Sequence, residues 1–380
     1  MGYRKYTFIA LGMLLIILLY NAFVWHFYTQ QWFTSSSVHV GDLSRLGYMP
    51  DAAHPRKTLV DLPITHKETT NFNLDEKAEI VVIGDSFASG VAGGKNPSFT
   101  DYIASQYNKT VLNIGELPST SNYIETVALL ANSGFFKAIG TKIVIIESTQ
   151  RQLARRFAVL INFDKNESLE SIIKIYGINQ KLLDYNNSHM PISNLQNNSD
   201  DNAAIKHNKI TFINNGNFKF AINKIIYLFS DSSPLTNVVI KDLNQSLFST
   251  HMDKKLLNFQ RDIYMKDIQD VNNVQKINAN LNQLSRILKK ENIILAFMPV
   301  ASKYIIYEPY IINNNLPKDN FFSILNSQSR EYALIDTKKI LDREMPIKDL
   351  YYGDDTHWSY IASDIVISSQ EFKELFPKKE

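Results

Sequence analysis

Residues 79–90 decide the fold of this chain, and their sequence is EIVVIGDSFASG. An uninterrupted apolar, β-branched run is typical of a buried parallel strand, and small polar residues directly after it are typical of the turn into a helix. In α/β proteins the functional side chains collect where such strands end. Ser86 is therefore the first candidate for a catalytic nucleophile.

The chain around this stretch predicts alternating strands and helices. Apolar runs separated by single helical stretches imply a parallel, doubly wound sheet with right-handed crossovers. We expect five parallel strands with the site at their carboxyl ends. The predicted strands are residues 80–83, 110–114, 142–146, 293–299 and 332–336, and the predicted helices are residues 98–107, 122–133 and 271–291.

A histidine that suits Ser86 stands near the other end of the chain, in YYGDDTHWS at residues 351–359. A serine hydroxyl is a poor nucleophile until a neighbouring base takes its proton, and an imidazole held by a carboxylate is the usual base. Asp354 and Asp355 both lie where a carboxylate reaches Nδ1 of His357 and leaves Nε2 facing the serine. The alternative is a histidine that caps a helix or satisfies a polar group in the core.

These two blocks resemble the GDSL/SGNH hydrolase superfamily, and the Asp-Thr-His-Trp form is most similar to its AlgX/AlgJ-like polysaccharide O-acetyltransferase branch. The resemblance covers about residues 79–157 and 292–362. It implies a flavodoxin-like, three-layer α/β fold with a five-stranded parallel sheet, with Ser86 as nucleophile and His357 as base. It favours Asp355 slightly over Asp354 as the orienting acid. In that branch the D-x-H block precedes the serine, whereas here it follows.

The resemblance also raises the question of the oxyanion hole. Superfamily members usually supply a glycine N–H after the second strand and an asparagine side chain after the third. Here Pro118, which has no N–H, aligns with that glycine, and Gln150 stands near the asparagine position. The hole is then either rebuilt around the Ser86 N–H, the Gly115 or Ser119 N–H, and Gln150 or Arg151, or it is impaired. A surface charge at the end of a strand is the alternative for Arg151.

Two further candidates follow the fourth predicted strand. Lys303 and Tyr304 lie at the active edge of the expected sheet and could contact a sugar. Packing within the core is the alternative, because buried tyrosines are commonly structural.

The N-terminus predicts a membrane anchor. Residues 6–24 are almost wholly apolar, and about 20 helical residues at about 1.5 Å each cross a hydrocarbon core of roughly 30 Å. Arg4 and Lys5 precede this run and predict a cytoplasmic N-terminus. We expect a single-pass anchor in a bacterial inner membrane, through residues 6–28, with the remainder periplasmic or extracellular.

A cleaved signal peptide is the other interpretation of this segment. Its apolar core would be shorter and would end at small residues. Here bulky aromatic residues follow instead, and Trp25, Tyr28 and Trp32 suit an interfacial belt. The segment 1–32 is therefore expected to be retained.

The rest of the chain divides by composition. Residues 33–75 are polar and aperiodic, which predicts a stalk and an irregular linker, and residues 76–380 form the SGNH-like domain. An insertion at about 160–265 is rich in asparagine and should be largely loop. Its apolar run FKFAINKIIYLF, residues 218–229, predicts a helix, either in a helical pair packed on the sheet or in a lid over the site.

Composition excludes several classes of function. The net charge of +2, with 21% charged residues, gives no field suited to nucleic acid. Cysteine is absent, which removes thiolate metal sites, and no His/carboxylate cluster has helical ligand spacing. We expect neither a metal nor another cofactor.

Together these features predict a membrane-anchored, extracytoplasmic enzyme that O-acetylates an envelope or secreted polysaccharide through an acyl-enzyme on Ser86. The partners that the resemblance implies are a polysaccharide acceptor and a membrane-bound O-acyltransferase as acetyl donor. A carbohydrate or lipid esterase with the same triad is the first alternative. A non-catalytic glycan-binding or assembly protein is the second.

The predicted topology can be tested with reporters fused to the C-terminus. Because Arg4 and Lys5 should retain the N-terminus in the cytoplasm, alkaline phosphatase fused after residue 380 should be active in intact cells. A fluorescent protein that folds only in the cytoplasm should stay dark at the same position, and a bright fusion would contradict the topology.

Overall fold

The computed structural model describes residues 2–30, 41–49, 52–54, 61–90, 96–178 and 213–376. A central sheet organises this part of the chain, and its neighbouring strands all run parallel, in the order β1-β3-β2-β4-β7-β8. A separate antiparallel hairpin joins β5 to β6. The strands are β1 Lys67–Glu68, β2 Ile80–Ile83, β3 Val111–Ile114, β4 Ile143–Thr149, β5 Val238–Asp242, β6 Lys255–Phe259, β7 Ile294–Val300 and β8 Ala333–Leu334.

Helices fill the segments between the strands. The first, α1, is Gly2–Val24, and a π-helical turn, Trp25–Thr29, continues it. The others are α2 Asp42–Gly47, α3 Ser86–Ser89, α4 Phe99–Tyr107, α5 Tyr123–Asn132, α6 Phe135–Ile139, α7 Leu153–Phe157, α8 Leu169–Tyr176, α9 Asn215–Phe229, α10 Gln260–Ile263, α11 Val271–Lys289, α12 Lys303–Tyr307, α13 Phe321–Asn326, α14 Thr337–Glu344, α15 Tyr360–Ile367 and α16 Gln370–Lys373.

The predicted α/β class and the mostly parallel sheet are confirmed, but the expected strand count was wrong. The sheet has six strands, because the two-residue β1 pairs with β3 at one edge. So short a strand carries no periodicity that a sequence pattern can reveal. Strand β4 also extends to Thr149, three residues beyond the predicted end.

Burial on both faces explains the continuous apolar runs. Every residue of β2, β3 and β4 is buried. Parallel strands covered by helices on both sides lose the alternation that a half-exposed strand shows. Helix α11, by contrast, buries one stripe against the core, including Val274, Ile277 and Leu281.

The strand order places a crevice at the carboxyl ends of β2 and β4. The chain moves from β2 to β3 on one side and from β4 to β7 on the other, so the helical connections diverge at that point. Ligands of open α/β sheets bind at such a point. Ser86 follows β2 and Gln150 follows β4.

The insertion departs from its predicted packing. Helix α8, which the sequence did not predict, buries Ile172 and Tyr176 in the main core. Helix α9, which contains the run 218–229, packs instead on the C-terminal end of α1, where Phe220 and Val24 form a separate buried cluster. The asparagine-rich stretches at 186–188 and 197–201 lie outside the described residues, as do Trp32 and all of residues 33–40.

The linker expected at 33–75 packs partly on the domain. Within it, Asp42–Gly47 forms α2, and the Ser44 N–H donates to the Asp354 carbonyl at 3.0 Å. Leu43 is fully buried against the β5–β6 hairpin cluster. This part of the linker therefore belongs to the folded domain.

Gly84 should not tolerate a side chain. A Cβ there would lie 2.4 Å from Glu147 Oε2 and 2.8 Å from the Ala88 Cβ. Because overpacking a dense core costs about 1–3 kcal/mol, Gly84→Ala should lower the denaturant midpoint of the full chain in micelles, followed by near-UV circular dichroism. At Gly134 a Cβ meets no atom within 4 Å, so Gly134→Asn, which suits its positive φ, should leave the midpoint nearly unchanged.

Candidate active site

Ser86 is the first residue of α3, at the abrupt end of β2. Asp85 precedes it as the N-cap and accepts the Phe87 N–H at 3.4 Å. This local turn brings the serine out of the sheet plane at the crevice. Its placement follows from the sequence, because a small polar segment directly after a buried strand cannot continue that strand.

The histidine lies on a tight turn at the opposite end of the chain. Tyr351 and Trp358 form an isolated antiparallel bridge that closes the turn, and the Tyr352 N–H donates to the His357 carbonyl at 3.2 Å. Inside the turn, the buried Lys303 ammonium donates to the carbonyls of Tyr352 and Gly353, each at 2.9 Å, and of Asp355 at 3.2 Å.

Ser86, His357 and Asp355 form a hydrogen-bonded triad. His357 Nε2 lies 2.6 Å from Ser86 Oγ, and His357 Nδ1 lies 2.6 Å from Asp355 Oδ1. The same carboxylate oxygen accepts the His357 backbone N–H at 3.0 Å, which fixes the acid and the ring together. This is the arrangement in which a carboxylate orients an imidazole that takes the proton of a serine.

Asp354 takes a different role. Its Oδ2 accepts the Gly41 N–H at 2.8 Å and the His54 N–H at 3.0 Å, so it fastens the linker to the turn. A Cβ at Gly41 would lie 2.2 Å from the Asp354 carbonyl oxygen, so only glycine fits this approach. Of the two acids that the sequence left open, Asp355 is therefore the one on the histidine.

Asp42, which the sequence did not single out, is a second carboxylate beside the triad. Its Oδ1 accepts the Thr356 N–H at 2.8 Å, its Oδ2 accepts the Thr356 hydroxyl at 2.5 Å, and its own N–H donates to Asp355 Oδ2 at 3.3 Å. No pattern marked it, because it lies in an aperiodic segment more than 300 residues away. Burial and the charge of Asp355 raise the pKa of Asp42 to about 6.

The charges around His357 make it a stronger base. Burial alone would lower its pKa, but the Asp355 charge and hydrogen bond, helped by Asp42, outweigh burial and raise the pKa above the usual 6.5. Arg151 opposes this effect. The imidazolium that forms when His357 takes a proton is thus stabilised by two carboxylates.

A second buried network supports the serine turn from below. The Asp85 carboxylate accepts Arg156 Nη1 at 2.6 Å and the Thr149 N–H at 2.8 Å, and the Asp85 N–H donates to Glu147 Oε2 at 2.8 Å. Burial opposes ionisation of Asp85, yet Arg156 holds its pKa below the usual range. Burial and the Asp85 charge hold the pKa of Glu147 well above its usual range.

Within this network the Arg156 guanidinium forms an ion pair with the Asp85 carboxylate at 2.6 Å. Glu147 and Arg156 were not among the sequence candidates. Glu147 lies within the apolar strand β4, and an acid in a run that is buried on both faces needs a buried partner. That feature could have identified Glu147 from the sequence. The network holds the Ser86 turn against β4.

Of the expected oxyanion donors, Gln150 and Arg151 lie close to the triad. Together with Phe87, Thr356 and other residues they line a small cavity of about 10 Å³. Gln150 Nε2 donates to Asp319 at 2.7 Å, and its Oε1 accepts the Ser302 N–H at 3.1 Å. Arg151 pairs with the buried Asp262 at 3.1 Å, so it is not a surface charge.

Gly115 and Ser119, the other expected oxyanion donors, contact residues 165–176 at the start of the insertion. The Gly115 carbonyl accepts the Tyr176 hydroxyl at 2.8 Å. The Ser119 carbonyl accepts Lys165 Nζ at 2.8 Å, and its hydroxyl donates to Glu167 at 3.4 Å. These contacts join the loop after β3 to the start of the insertion.

The expected sugar contacts of Lys303 and Tyr304 are not supported, because both side chains are buried. Lys303 holds the histidine turn, and the Tyr304 hydroxyl donates to the Pro317 carbonyl at 2.9 Å. Packing, the alternative weighed for this pair, is what the structure has. Their role is to position the site.

Aromatic side chains shield one side of the histidine. The Phe87 ring lies 4.8 Å from the His357 ring, and the Trp358 ring lies edge-on to Phe87 at 5.1 Å. His357 and Asp355 are buried, whereas Ser86 stays partly exposed. Ser86 is thus the accessible member of the triad.

Asp42, Asp355 and His357 place ligand atoms within 4.8 Å of one another, which is the spacing of a possible metal site. The 2.6 Å between His357 Nδ1 and Asp355 Oδ1 fits a charge-assisted hydrogen bond. A zinc ion shared by both atoms would lie about 2.0–2.2 Å from each and hold them further apart. The geometry fits a base held by acids better than a metal centre.

Comparison of this chain with protein-family models, with curated proteins and with solved structures gave no significant match.

The pH dependence of Ser86 reactivity should report the state of His357. The rate of labelling by a fluorophosphonate should rise with pH as Nε2 loses its proton, with a midpoint above 6.5, because the pKa of His357 is raised. In Asp42→Asn the midpoint should move to lower pH, because one nearby negative charge is gone while an acceptor for Thr356 remains. An unchanged midpoint would contradict the role of Asp42.

Proposed function

We propose that this protein is an SGNH-type acyltransferase that O-acetylates an envelope or secreted polysaccharide outside the cytoplasmic membrane. The observation that carries the proposal is the contact of His357 Nε2 with Ser86 Oγ, with Asp355 on the other ring nitrogen. The order β3-β2-β4-β7-β8 supports the superfamily, since it is the flavodoxin-like order 2-1-3-4-5 with one added edge strand.

Acylation begins when Ser86 Oγ attacks the carbonyl carbon of an acetyl donor. The new Oγ–C bond forms as the hydroxyl proton moves to His357 Nε2, and Asp355 stabilises the imidazolium. The tetrahedral intermediate then collapses, the bond to the donor oxygen breaks, and the departing alcohol takes the proton from Nε2. The result is an acetyl ester on Ser86 and a neutral histidine.

Deacylation runs through the same groups in reverse. A sugar hydroxyl gives its proton to His357 Nε2 as its oxygen attacks the ester, and Ser86 takes that proton as it leaves. The negative oxygen of both intermediates needs donors, and Gln150 and Arg151 are the candidates that line the cavity beside Phe87 and Thr356. Gln150 Nε2 has a second hydrogen beyond the one given to Asp319.

The enclosed site supports transfer over hydrolysis. The base and its acid are buried, an aromatic pair shields the imidazole, and the adjoining cavity is small. A bound acceptor hydroxyl gains from proximity over free water. Transfer requires that the acyl-enzyme persist until a sugar arrives.

The proposed location follows from α1. The helix from Tyr3 to Thr29 has a mean hydropathy of 2.3 over its best window and is long enough to cross a membrane. We propose that it anchors the protein in a bacterial inner membrane with the domain outside. A membrane-bound O-acyltransferase is the proposed source of the acetyl group, and the glycan is the acceptor.

A transfer assay with the full chain in detergent micelles tests the function. With an activated acetyl ester as donor, Ser86 should become acetylated, acetate release should be slow, and an envelope oligosaccharide should gain acetyl groups by mass spectrometry. Ser86→Ala should abolish all three, and Asp355→Asn should slow acylation by about 10²–10⁴-fold, since a misoriented base is lost.

Asp354→Asn is the matched control for the acid, because it lies one residue away and touches the linker instead of the histidine. It should retain most of the acylation rate if it folds. Fast, Ser86-dependent acetate release with no acetylated glycan would make the protein an esterase. Failure of Ser86 to acylate at all would favour a non-catalytic binding role.

A further inference from the structure

Helix α9 exposes a continuous apolar stripe. Phe218, Ile222, Ile225 and Phe229 recur at helical spacing on one face, and their exposed fractions are 38%, 46%, 60% and 86%. Residues at i, i+4, i+7 and i+11 lie above one another on a helix. An exposed apolar face of this kind usually marks a surface that contacts another protein or a membrane.

The N-terminal half of α9 packs on the end of α1, and the Phe218 ring itself lies 5.5 Å from the Tyr20 ring. Asn217 Nδ2 donates to Asn21 Oδ1 at 3.0 Å, the Thr29 hydroxyl donates to Asn217 Oδ1 at 2.7 Å, and the Tyr20 hydroxyl donates to the Asn217 carbonyl at 2.8 Å. Phe220 packs on Val24. Buried amide hydrogen bonds of this kind hold helices together in apolar surroundings.

This contact determines the height of α9 relative to a bilayer. If the span begins near Tyr6, about 20 residues bring α1 across the hydrocarbon, to the vicinity of Trp25. The contacts with α9 extend from Tyr20 to Thr29 and therefore bracket the outer boundary of the hydrocarbon. The N-terminal half of α9, where the stripe begins, therefore lies beside this boundary.

The two lysines of α9 also fit a position at the boundary between acyl chains and headgroups. Lys219 and Lys224 lie off the stripe, and Lys224 Nζ is 5.3 Å from the Phe220 ring and 5.8 Å from the Tyr28 ring. Lysines beside an apolar face with phenylalanines are typical of helices that lie in the plane of a membrane interface, where they meet anionic headgroups.

We propose that α9 is an interfacial membrane helix, and that lipid covers the stripe of Phe218, Ile222, Ile225 and Phe229. The inference rests on the membrane location proposed for α1. It gives the domain a second contact with the bilayer, joined to the first by Asn217. A domain held at two points keeps a fixed height above the membrane, instead of swinging on one helix.

The absence of cysteine from the chain allows a clean depth measurement. The full chain is reconstituted in vesicles of phosphatidylcholine and phosphatidylglycerol, with one cysteine carrying the polarity-sensitive fluorophore NBD. Ile225→Cys reports the stripe, Leu15→Cys reports the span, and Gln275→Cys, exposed on α11, reports the aqueous domain. Near-UV circular dichroism shows that each variant has folded.

At position 225 the emission should shift to the blue, lose intensity with lipids that carry a shallow nitroxide, and resist aqueous iodide. An interfacial helix buries its apolar face about 5–10 Å into the boundary, so the shallow nitroxide should quench more than a deep one. Position 15 should show the reverse preference between the nitroxides. Position 275 should respond to iodide alone.

The outcomes separate this inference from the proposed function. If position 15 is quenched by lipid and position 225 behaves like 275, the interfacial helix is wrong while the anchor stands. If position 15 is not quenched, the proposed membrane location fails. If position 225 resists both iodide and nitroxide lipid, a second copy of the chain covers the stripe, and the lipid proposal is overturned.

Discussion

The site depends on the hydrogen bonds that the buried Lys303 ammonium donates to the turn that carries His357. A buried positive charge is tolerated only where it is fully compensated, and here three carbonyls of the 352–355 turn surround it. The ring of Phe248, 5.0 Å away, adds a further favourable contact. Because these carbonyls point at one atom, the turn has little freedom, and the position of His357 follows from it.

A buried arginine stabilises the turn that carries Ser86. Arg156 pairs with Asp85, the residue before the serine, and Asp85 is also bound to the backbone of β4 through Thr149. Removing one partner of such a pair leaves an uncompensated charge, which is far more costly than the pair is stabilising. Two buried cations, from different parts of the chain, thus hold the two halves of the triad in register across the crevice.

The linker after the anchor belongs to this arrangement as well. Gly41 and Asp42 contact the same turn, one through Asp354 and the other through Thr356 and Asp355. The segment that leaves the proposed membrane anchor is therefore part of the wall of the site. Helix α9, which lies far along the sequence from α1, packs against the C-terminal end of α1. The proposed anchor is therefore also in contact with the domain.

The sequence by itself determined the class of fold, the sheet strands β2, β3, β4 and β7, and the two ends of the triad. Those features are local: a β-branched run ends in Gly-Asp-Ser, and two adjacent acids stand two and three residues before a histidine. The choice between Asp354 and Asp355 was not local, since both spacings reach the ring.

Only the tertiary structure decided that choice, because Gly41 and His54 occupy Asp354 from a distant segment. It likewise decided the roles of Lys303, Arg156 and Asp42, whose partners are far away along the chain. A charge in a sequence is by default a solvated surface group, and only its three-dimensional neighbours show that it is buried and paired. The packing of α9 on α1 was hidden for the same physical reason: an apolar helix does not encode which apolar surface will cover it.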